Sequence, residues 1–344
     1  MGRQQIRKAV REDNARHHRQ GTAHRLFLGA LVAAGLTLAC GAGSQVPSTP
    51  IIPHELKKAP EVVVNFNEKR AFADLEKQCA FGFRIPATKP HDDCRDWIKA
   101  ELAKSCDKAF LQPFSHVWSV NNKKLPMDNV VGEINWNDAD VRVCLFAHWD
   151  TRPTADQELD PEMRKKPIPG ADDGASGVAV LLELARVLKE HPADKKLGIR
   201  FVMIDGEDLG PGSDEMYLGS ILYSHSEKPR GDYGILLDMI GDKDLRVPVE
   251  QSSYRLVPKL VRAIYAHAKT VGLQDTFPST TGDDIEDDHL PLIAAGLPTV
   301  DLIDFEYDHW HKVTDSPDKC SAESLGKVGK LLETWLYKNP TWKP

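Results

Sequence analysis

The sequence predicts an α/β fold: a single globular domain whose mixed, mostly parallel central sheet is covered by helices on both faces. Two observations predict it. Apolar runs typical of buried strands alternate with stretches of helical periodicity from residue 144 onward. No shift in composition and no internal repeat interrupts this alternation, which favours one domain over two in a chain of 344 residues.

The chain begins with a basic and then apolar stretch that is typical of an export signal. Seven Lys or Arg stand against two acidic residues in the first 25, and the uncharged run 26–39 follows. At about fourteen residues, this run is short for a membrane span. It ends Leu-Thr-Leu-Ala-Cys at Cys40, which resembles a bacterial lipoprotein cleavage site except that Thr37 stands where Leu is usual.

These features predict a signal peptide over 1–40, a Gly-, Ser- and Pro-rich tether over 41–64, and a folded domain over 65–344. We expect a lipid anchor on Cys40 and a location on the membrane of a bacterial envelope. Ordinary secretion to the periplasm or beyond, and a retained anchor, are the alternatives.

Charge and cysteine content limit the function further. The formal net charge is −7, and it is more negative without the basic leader, which argues against a nucleic-acid partner. Five cysteines follow Cys40, and their spacing matches no zinc finger. An oxidising compartment permits disulfides among them, but an odd number leaves at least one thiol outside any internal pairing.

Periodicity and turn residues predict the elements in order. Helices are expected over 65–79 and 92–106, and antiparallel strands over 114–120, 130–136 and 141–147. A helix over 174–190, a strand over 199–204, a loop with a short helix over 213–224 and a strand over 233–240 follow. The chain then predicts helices over 254–271 and 287–295, a strand over 298–303 and a closing helix over 321–337. The long polar loop 151–169 is expected to be functional.

Acidic residues and a histidine follow the predicted buried strands. A lone histidine such as His148 is more often structural, but here it is accompanied. The acids that share its position at strand ends or helix starts are Asp150, Asp173, Glu207, Asp208 and Asp238. Crowded carboxylates repel one another and usually imply a cation. Imidazole with carboxylates favours Zn²⁺ over Ca²⁺ or Mg²⁺.

Two adjacent acid pairs are expected to divide their roles. One of Asp172 and Asp173 is predicted to cap the following helix, which leaves Asp173 as the favoured ligand. Glu207 and Asp208 should project to different sides of their strand end, so that one binds metal and the other transfers protons.

The motifs together resemble the glutaminyl-peptide cyclotransferase (glutaminyl cyclase) branch of the zinc aminopeptidase superfamily. The resemblance rests on six clusters in fixed order: His-x-Asp at 148, Pro-Gly-Ala-Asp-Asp-x-Ala-Ser-Gly at 169, Asp-Gly-Glu-Asp at 205, Asp-Met-Ile-Gly at 238, Glu-Asp-Asp-His at 286 and Trp-His at 310. A further segment, Phe-Arg-Ile-Pro at 83, resembles an N-terminal motif of the cyclases. The resemblance covers roughly residues 65–336.

The resemblance implies a role for each matching residue. It makes Asp173, Asp208 and His311 the ligands of one zinc ion and Glu207 the proton shuttle. Asp238 and Asp287 would hydrogen-bond around Glu207, and Trp310 would form a wall of the substrate pocket. In the dizinc aminopeptidases the positions of His148 and Asp238 bind a second zinc, with that of Asp173 as the bridge.

Two departures bear on the fit to the cyclases. Asp208 is a shorter carboxylate than the Glu usual in animal cyclases. The region around Gly212 lacks the pocket Trp of those enzymes.

The resemblance implies a cyclotransferase that converts an N-terminal Gln to pyroglutamate and releases ammonia. Peptide or protein N-termini would be the substrate, and we expect a monomer. A zinc aminopeptidase that hydrolyses N-terminal residues is the first alternative, with two zinc ions. A non-catalytic binding member of the superfamily is the second, but the intact Glu207 and ligand set argue against it.

Overall fold

The computed structural model of the chain describes residues 63–226 and 231–344. The predicted signal peptide, Cys40 and all but the last two residues of the predicted tether lie outside the described residues, so they stay predictions. None of the helices in these two ranges has the length and apolar character needed to span a bilayer.

One six-stranded sheet forms the centre of the described domain. Its strands are β1 (Lys108–Trp118), β2 (Lys123–Ile134), β3 (Val141–His148), β4 (Leu197–Ile204), β5 (Tyr233–Asp238) and β6 (Thr299–Ile303). They are ordered β1-β2-β4-β3-β5-β6. Strands β4, β3, β5 and β6 run parallel to one another, whereas β1 and β2 add antiparallel strands at one edge. The predicted mixed, mostly parallel sheet is confirmed.

Eight α-helices surround the sheet within the described ranges. They are α1 (Glu68–Phe81), α2 (Lys89–Ser105), α3 (Ala175–Glu190), α4 (Leu218–Ser226), α5 (Gln251–Leu256), α6 (Pro258–Thr270), α7 (His289–Ala294) and α8 (Ala322–Lys338).

Different helices cover the two faces of the sheet, because successive strand residues point to opposite sides. On β3, Val143 and Leu145 pack into a large core with α1, α2, α3, α6 and α8. Phe146, the next residue of β3, lies on the opposite face and packs into a second core with Tyr223 of α4 and Leu292 of α7. The predicted cover on both faces is therefore confirmed.

The central helix α3 sets the position of the site. Its residues are apolar on nearly every side, and 13 of its 16 residues are buried, as expected for a helix enclosed by other elements. It packs on the sheet beneath α1 and α8. Its N-terminus therefore faces the carboxyl end of β3, where His148 lies.

Two differences from the predicted elements change the strand pairing or the number of helices. The predicted antiparallel arrangement is wrong for β3, which runs parallel to both of its neighbours, because β4 is inserted between it and β2. The helix predicted over 254–271 is two helices, α5 and α6, that meet at Val257 and Pro258. A proline lacks the N–H that a continuing helix requires, but it fits the first turn of a new one. No disulfide joins the five cysteines of the described ranges.

Candidate metal centre and catalytic site

The predicted site residues gather at the carboxyl edge of the parallel strands. His148 and Asp238 are the last residues of β3 and β5, and Glu207 and Asp208 follow β4 within four residues. This edge is where parallel sheets with helices on both faces collect their ligands. His311 reaches the same place from the segment after β6.

Asp173, Asp208 and His311 converge as the resemblance implies. Nε2 of His311 lies 3.7 Å from Asp173 Oδ2 and 3.5 Å from Asp208 Oδ1. All three residues are buried, and a ligand atom of each lies within 4.8 Å of the others. Oδ2 of Asp173 and Oδ2 of Asp208 have no hydrogen-bond partner. One imidazole with two carboxylates at this spacing fits a zinc ion.

A second group shares Asp173 with the first. Nε2 of His148 lies 3.1 Å from Asp173 Oδ1 and 3.3 Å from Asp238 Oδ1. The three residues meet the same 4.8 Å spacing. The structure therefore also brings together the predicted candidates for a second metal, with Asp173 between the two groups.

The turn before α3 directs Asp173 toward the site, but the predicted side-chain cap at the start of α3 is wrong. Gly174 is the N-cap residue of α3, and no side chain caps that end. Asp172 instead accepts a 2.6 Å hydrogen bond from Gly241 N, which fixes the loop after β5. At Gly174, with φ of 105°, a Cβ would lie 2.9 Å from Asp150 O and 3.0 Å from His148 Cε1. Only glycine fits this approach.

Asp150 positions the adjacent acids Glu207 and Asp208. Its two carboxylate oxygens accept the backbone N–H groups of these residues, each at 3.2 Å. Asp150 is fully buried. A single carboxylate thus fixes the loop that carries both Glu207 and the candidate ligand Asp208.

Glu207 lies in a buried, strongly acidic environment. Its carboxylate lies 3.7 Å from His148 Nδ1. Burial raises the pKa of Glu207 well above its usual value, His148 opposes the rise, and Asp208 and Asp287 add to it. Burial and the neighbouring Asp238 likewise raise the pKa of Asp287. A carboxyl group with a raised pKa binds a proton more readily than an ordinary one, which suits a proton carrier.

At two of the candidate ligands, the neighbouring charges shift the pKa values in favour of the charged forms. Burial alone would raise the pKa of Asp208, but Arg152 and His311 lower it to about 2. Burial opposes the charged form of His311, yet Asp208 and Asp156 raise its pKa to about 9. Asp208 is therefore held as a carboxylate, ready to bind a cation.

Aromatic side chains border the site. The indole of Trp310 stacks on the ring of His311 with 4.2 Å between centroids, and it also contacts Phe305. Trp310 is partly exposed beside the ligand, where a pocket wall would be. Tyr217 follows the Gly212 region that lacks a Trp. It donates its N–H to Glu207 O and its hydroxyl to Glu286 O, so it links two acidic segments of the site.

Sequence reasoning missed four supporting residues. Arg152 and Asp156 lie in the long loop 151–169 and contact Asp208 and His311, respectively. Asp315 accepts the N–H groups of Asp172 and Asp173, and Arg84 donates to Trp149 O, Pro169 O and Gly170 O. The sequence predicts that the loop is functional and that Arg84 belongs to a family motif, but no local pattern indicates the partners of these four residues.

A third group of buried ionisable side chains lies apart from these ligands. His289 Nε2 is 3.4 Å from Glu250 Oε2, and its Nδ1 is 3.7 Å from Asp301 Oδ2. The carboxylates approach opposite nitrogens of the ring. One ligand atom of each residue nevertheless lies within 4.8 Å of the others, so this group also meets the spacing of a metal site.

Comparisons with known proteins agree with the fold and the motifs. The sequence model of peptidase family M28 matches residues 129–336. The chain is 30% identical over 207 residues to aminopeptidase YwaD of Bacillus subtilis, a match that covers 57% of this chain and 40% of that protein. The chain thus spans less than half the length of this curated relative.

Solved structures resemble the chain over most of its length. A Zn-dependent exopeptidase from Parabacteroides distasonis has a TM-score of 0.76 and 32% identity, and the match covers 80% of this chain and 99% of that one. A glutaminyl cyclase from Porphyromonas gingivalis has a TM-score of 0.75 and 34% identity, with 80% and 100% covered. From its motifs, its sheet and these matches, the chain belongs to peptidase family M28.

Proposed function

We propose that this protein is a zinc-dependent glutaminyl-peptide cyclotransferase. The observation that carries the proposal is the convergence of Asp173, Asp208 and His311 beside a buried Glu207. The similarity to a glutaminyl cyclase over that enzyme's full length supports this reaction. Trp310, stacked on a ligand at the border of the site, would offer a flat wall to a small side chain.

In the proposed mechanism, the residues of this chain orient an N-terminal Gln and move one proton. A zinc ion held by Asp173, Asp208 and His311 would polarise the side-chain amide carbonyl. The α-amine nitrogen then forms a bond to the amide carbon, and the bond from that carbon to the amide nitrogen breaks. Glu207 takes a proton from the attacking amine and gives it to the departing nitrogen, which leaves as ammonia. Ring closure is intramolecular, so orientation supplies much of the acceleration.

Asp287 and Asp238 would support the proton on Glu207. Asp287 Oδ1 accepts the N–H of Asp288, while its Oδ2 is buried without a hydrogen-bond partner. An unpartnered buried carboxyl oxygen beside Glu207 suits a shared proton.

An aminopeptidase is the second candidate, and one observation favours it. His148, Asp173 and Asp238 form a second group at ligand spacing. With two ions bound, Glu207 would activate a water molecule for attack on the first peptide bond.

The test uses the zinc-loaded protein and a Gln-initiated peptide. We expect release of ammonia and a mass loss of one ammonia from the peptide. Glu207→Gln should lower kcat by roughly 10²- to 10⁴-fold, because it removes the proton carrier without changing its size. Glu162→Gln, the same change at an exposed loop position, is the control and should keep full activity. A zinc-loaded protein that leaves this peptide intact but releases Leu from a Leu-initiated peptide would replace the cyclase with the peptidase.

A further inference from the structure

A buried arginine and an aspartate of the loop 151–169 connect two of the candidate metal ligands. Nη1 of Arg152 donates to Asp208 Oδ1 at 2.6 Å, and its Nε and Nη2 donate to Asp156 Oδ2 at 3.0 and 2.7 Å. Oδ1 of Asp156 lies 2.9 Å from His311 Nδ1. All four distances are those of ordinary hydrogen bonds. We call this connection the Arg152–Asp156 clasp.

The clasp holds one atom of each of the two ligands by a hydrogen bond and leaves a second atom of each for the metal. Arg152 binds Oδ1 of Asp208, and the other oxygen, Oδ2, is buried without a hydrogen-bond partner. Asp156 binds Nδ1 of His311, which leaves Nε2 directed toward Asp173 and Asp208. A carboxylate on the far nitrogen of a metal-binding histidine fixes both its ring orientation and its tautomer.

The loop also holds the backbone of the His311 segment. Gln157 N donates to His311 O at 3.3 Å, and Val313 N donates to Glu158 Oε1 at 3.1 Å. His311 has φ of 52°, a left-handed conformation that is uncommon outside glycine. Such a conformation persists only where the surroundings over-determine it. The contacts from Asp156, Gln157 and Glu158 meet this requirement.

Arg152 is buried, with 5% of its surface exposed, and Asp208 is almost fully buried. Without Arg152, Oδ1 of Asp208 would lose its charged hydrogen-bond partner, and the carboxylate could turn about its Cβ–Cγ bond. The short Asp side chain offers little reach to correct a misplaced carboxylate. The positive charge of Arg152 also offsets the repulsion between the carboxylates of Asp208 and Asp173.

We propose that the Arg152–Asp156 clasp sets the zinc affinity of this protein. Arg152 positions Asp208 as a ligand through one oxygen, and Asp156 positions His311 as a ligand through Nε2. Neither residue touches substrate. The inference rests on the metal centre of the proposed function, but it holds equally for cyclisation and for hydrolysis.

The test measures zinc affinity directly, by competition with a chromophoric chelator. Asp156→Asn and Arg152→Met should each weaken zinc binding by roughly 10- to 100-fold, the usual effect of losing such a supporting contact. Arg152→Lys keeps the charge and one donor, so it should recover part of the affinity. Asp160→Asn makes the same substitution as Asp156→Asn at an exposed position of the same loop and should bind zinc as the wild type does.

Two readouts separate positioning from damage to the fold. Circular dichroism of the metal-free variants should match that of the metal-free wild type. In the cobalt-substituted protein, Asp156→Asn should shift the visible absorption bands, because the geometry of His311 changes. Wild-type zinc affinity and an unshifted cobalt spectrum in folded Asp156→Asn would overturn the proposal. If Arg152→Met does not fold, Asp156→Asn and Arg152→Lys test the proposal instead.

The outcome is independent of the reaction catalysed. At saturating zinc, Asp156→Asn should regain most of its kcat on whichever peptide the wild type uses, since the defect lies in holding the metal. If the wild type has no cyclase activity, the proposed function is wrong, but the proposal for the clasp still stands. If the clasp variants bind zinc as tightly as the wild type, the proposal for the clasp is wrong, but the proposed function still stands.

Discussion

Asp150 shows how one side chain controls the proposed chemistry without touching substrate. Asp150→Asn would replace one acceptor oxygen by an NH₂ group, which would face a backbone N–H of Glu207 or Asp208. Two opposed donors repel, so the loop carrying both residues should shift. We expect kcat to fall by roughly 10- to 100-fold, the range typical of contacts that support a metal site.

Steady-state kinetics on the zinc-loaded protein check this prediction, with KM expected to change less than kcat. Asp138→Asn, the same change at an exposed position, is the control and should leave both values unchanged. Full activity in Asp150→Asn would mean that the loop after β4 is fixed by other contacts.

The sequence predicted the candidate ligands but not the residues that hydrogen-bond to them. Glu207, Asp208 and Asp238 could be found because a charge directly after an apolar strand has no packing reason to be there. Arg152 and Asp156 could not, because their partners lie 56 and 155 positions away along the chain. Such pairs follow from the folded loop and leave no local pattern. The predicted cap at Asp172 was wrong for the same reason, since its partner is Gly241.

At the element scale, periodicity identified the buried elements better than the edges. The enclosed helix α3 and the strands β3, β4 and β6 lie within two residues of their predicted bounds. The edge strand β1 begins six residues before the predicted strand, and only one of its 11 residues is buried, as expected at the edge of a sheet. Pairing was also beyond a local reading: the insertion of β4 between β2 and β3 depends on the crossover through α3.

The packing of α6 on α8 makes stability depend on pH. His267 of α6 is buried, with Nε2 2.8 Å from Thr334 Oγ1 of α8. Burial and the nearby Lys338 lower the pKa of His267 to about 4. Between the ordinary value of 6.5 and this value, the unfolded chain binds a proton that the folded chain excludes. Stability should therefore fall as the pH drops through this window.

His267→Gln keeps a donor for Thr334 and cannot titrate. Relative to this variant, the wild type should lose about 2 kcal/mol of unfolding free energy between about pH 7 and about pH 5. Guanidinium unfolding of both proteins at about pH 7 and about pH 5 gives the comparison. Parallel losses in the two proteins would show that His267 is not the group responsible.

At the scale of the whole molecule, the candidate ligands come from three separate segments of one domain. Asp173 precedes α3, Asp208 follows β4, and His311 follows β6. The sheet order brings these segments to one edge only when the parallel strands are assembled. The unfolded chain therefore has no preformed site, and zinc should bind the folded state alone.

A ligand that binds only the folded state stabilises it by an amount set by its concentration relative to its Kd. At about 100-fold excess over Kd the gain is about 2.7 kcal/mol, which for a domain of this size raises Tm by roughly 5 °C. Stripping the protein with a chelator should lower Tm by this amount, and added zinc should restore it. Asp208→Asn, which removes a ligand at nearly constant volume, should melt at the same temperature in chelator and in zinc. If elemental analysis shows that the chelator has removed the metal and Tm is unchanged, the ion does not bind at the site formed by these three segments.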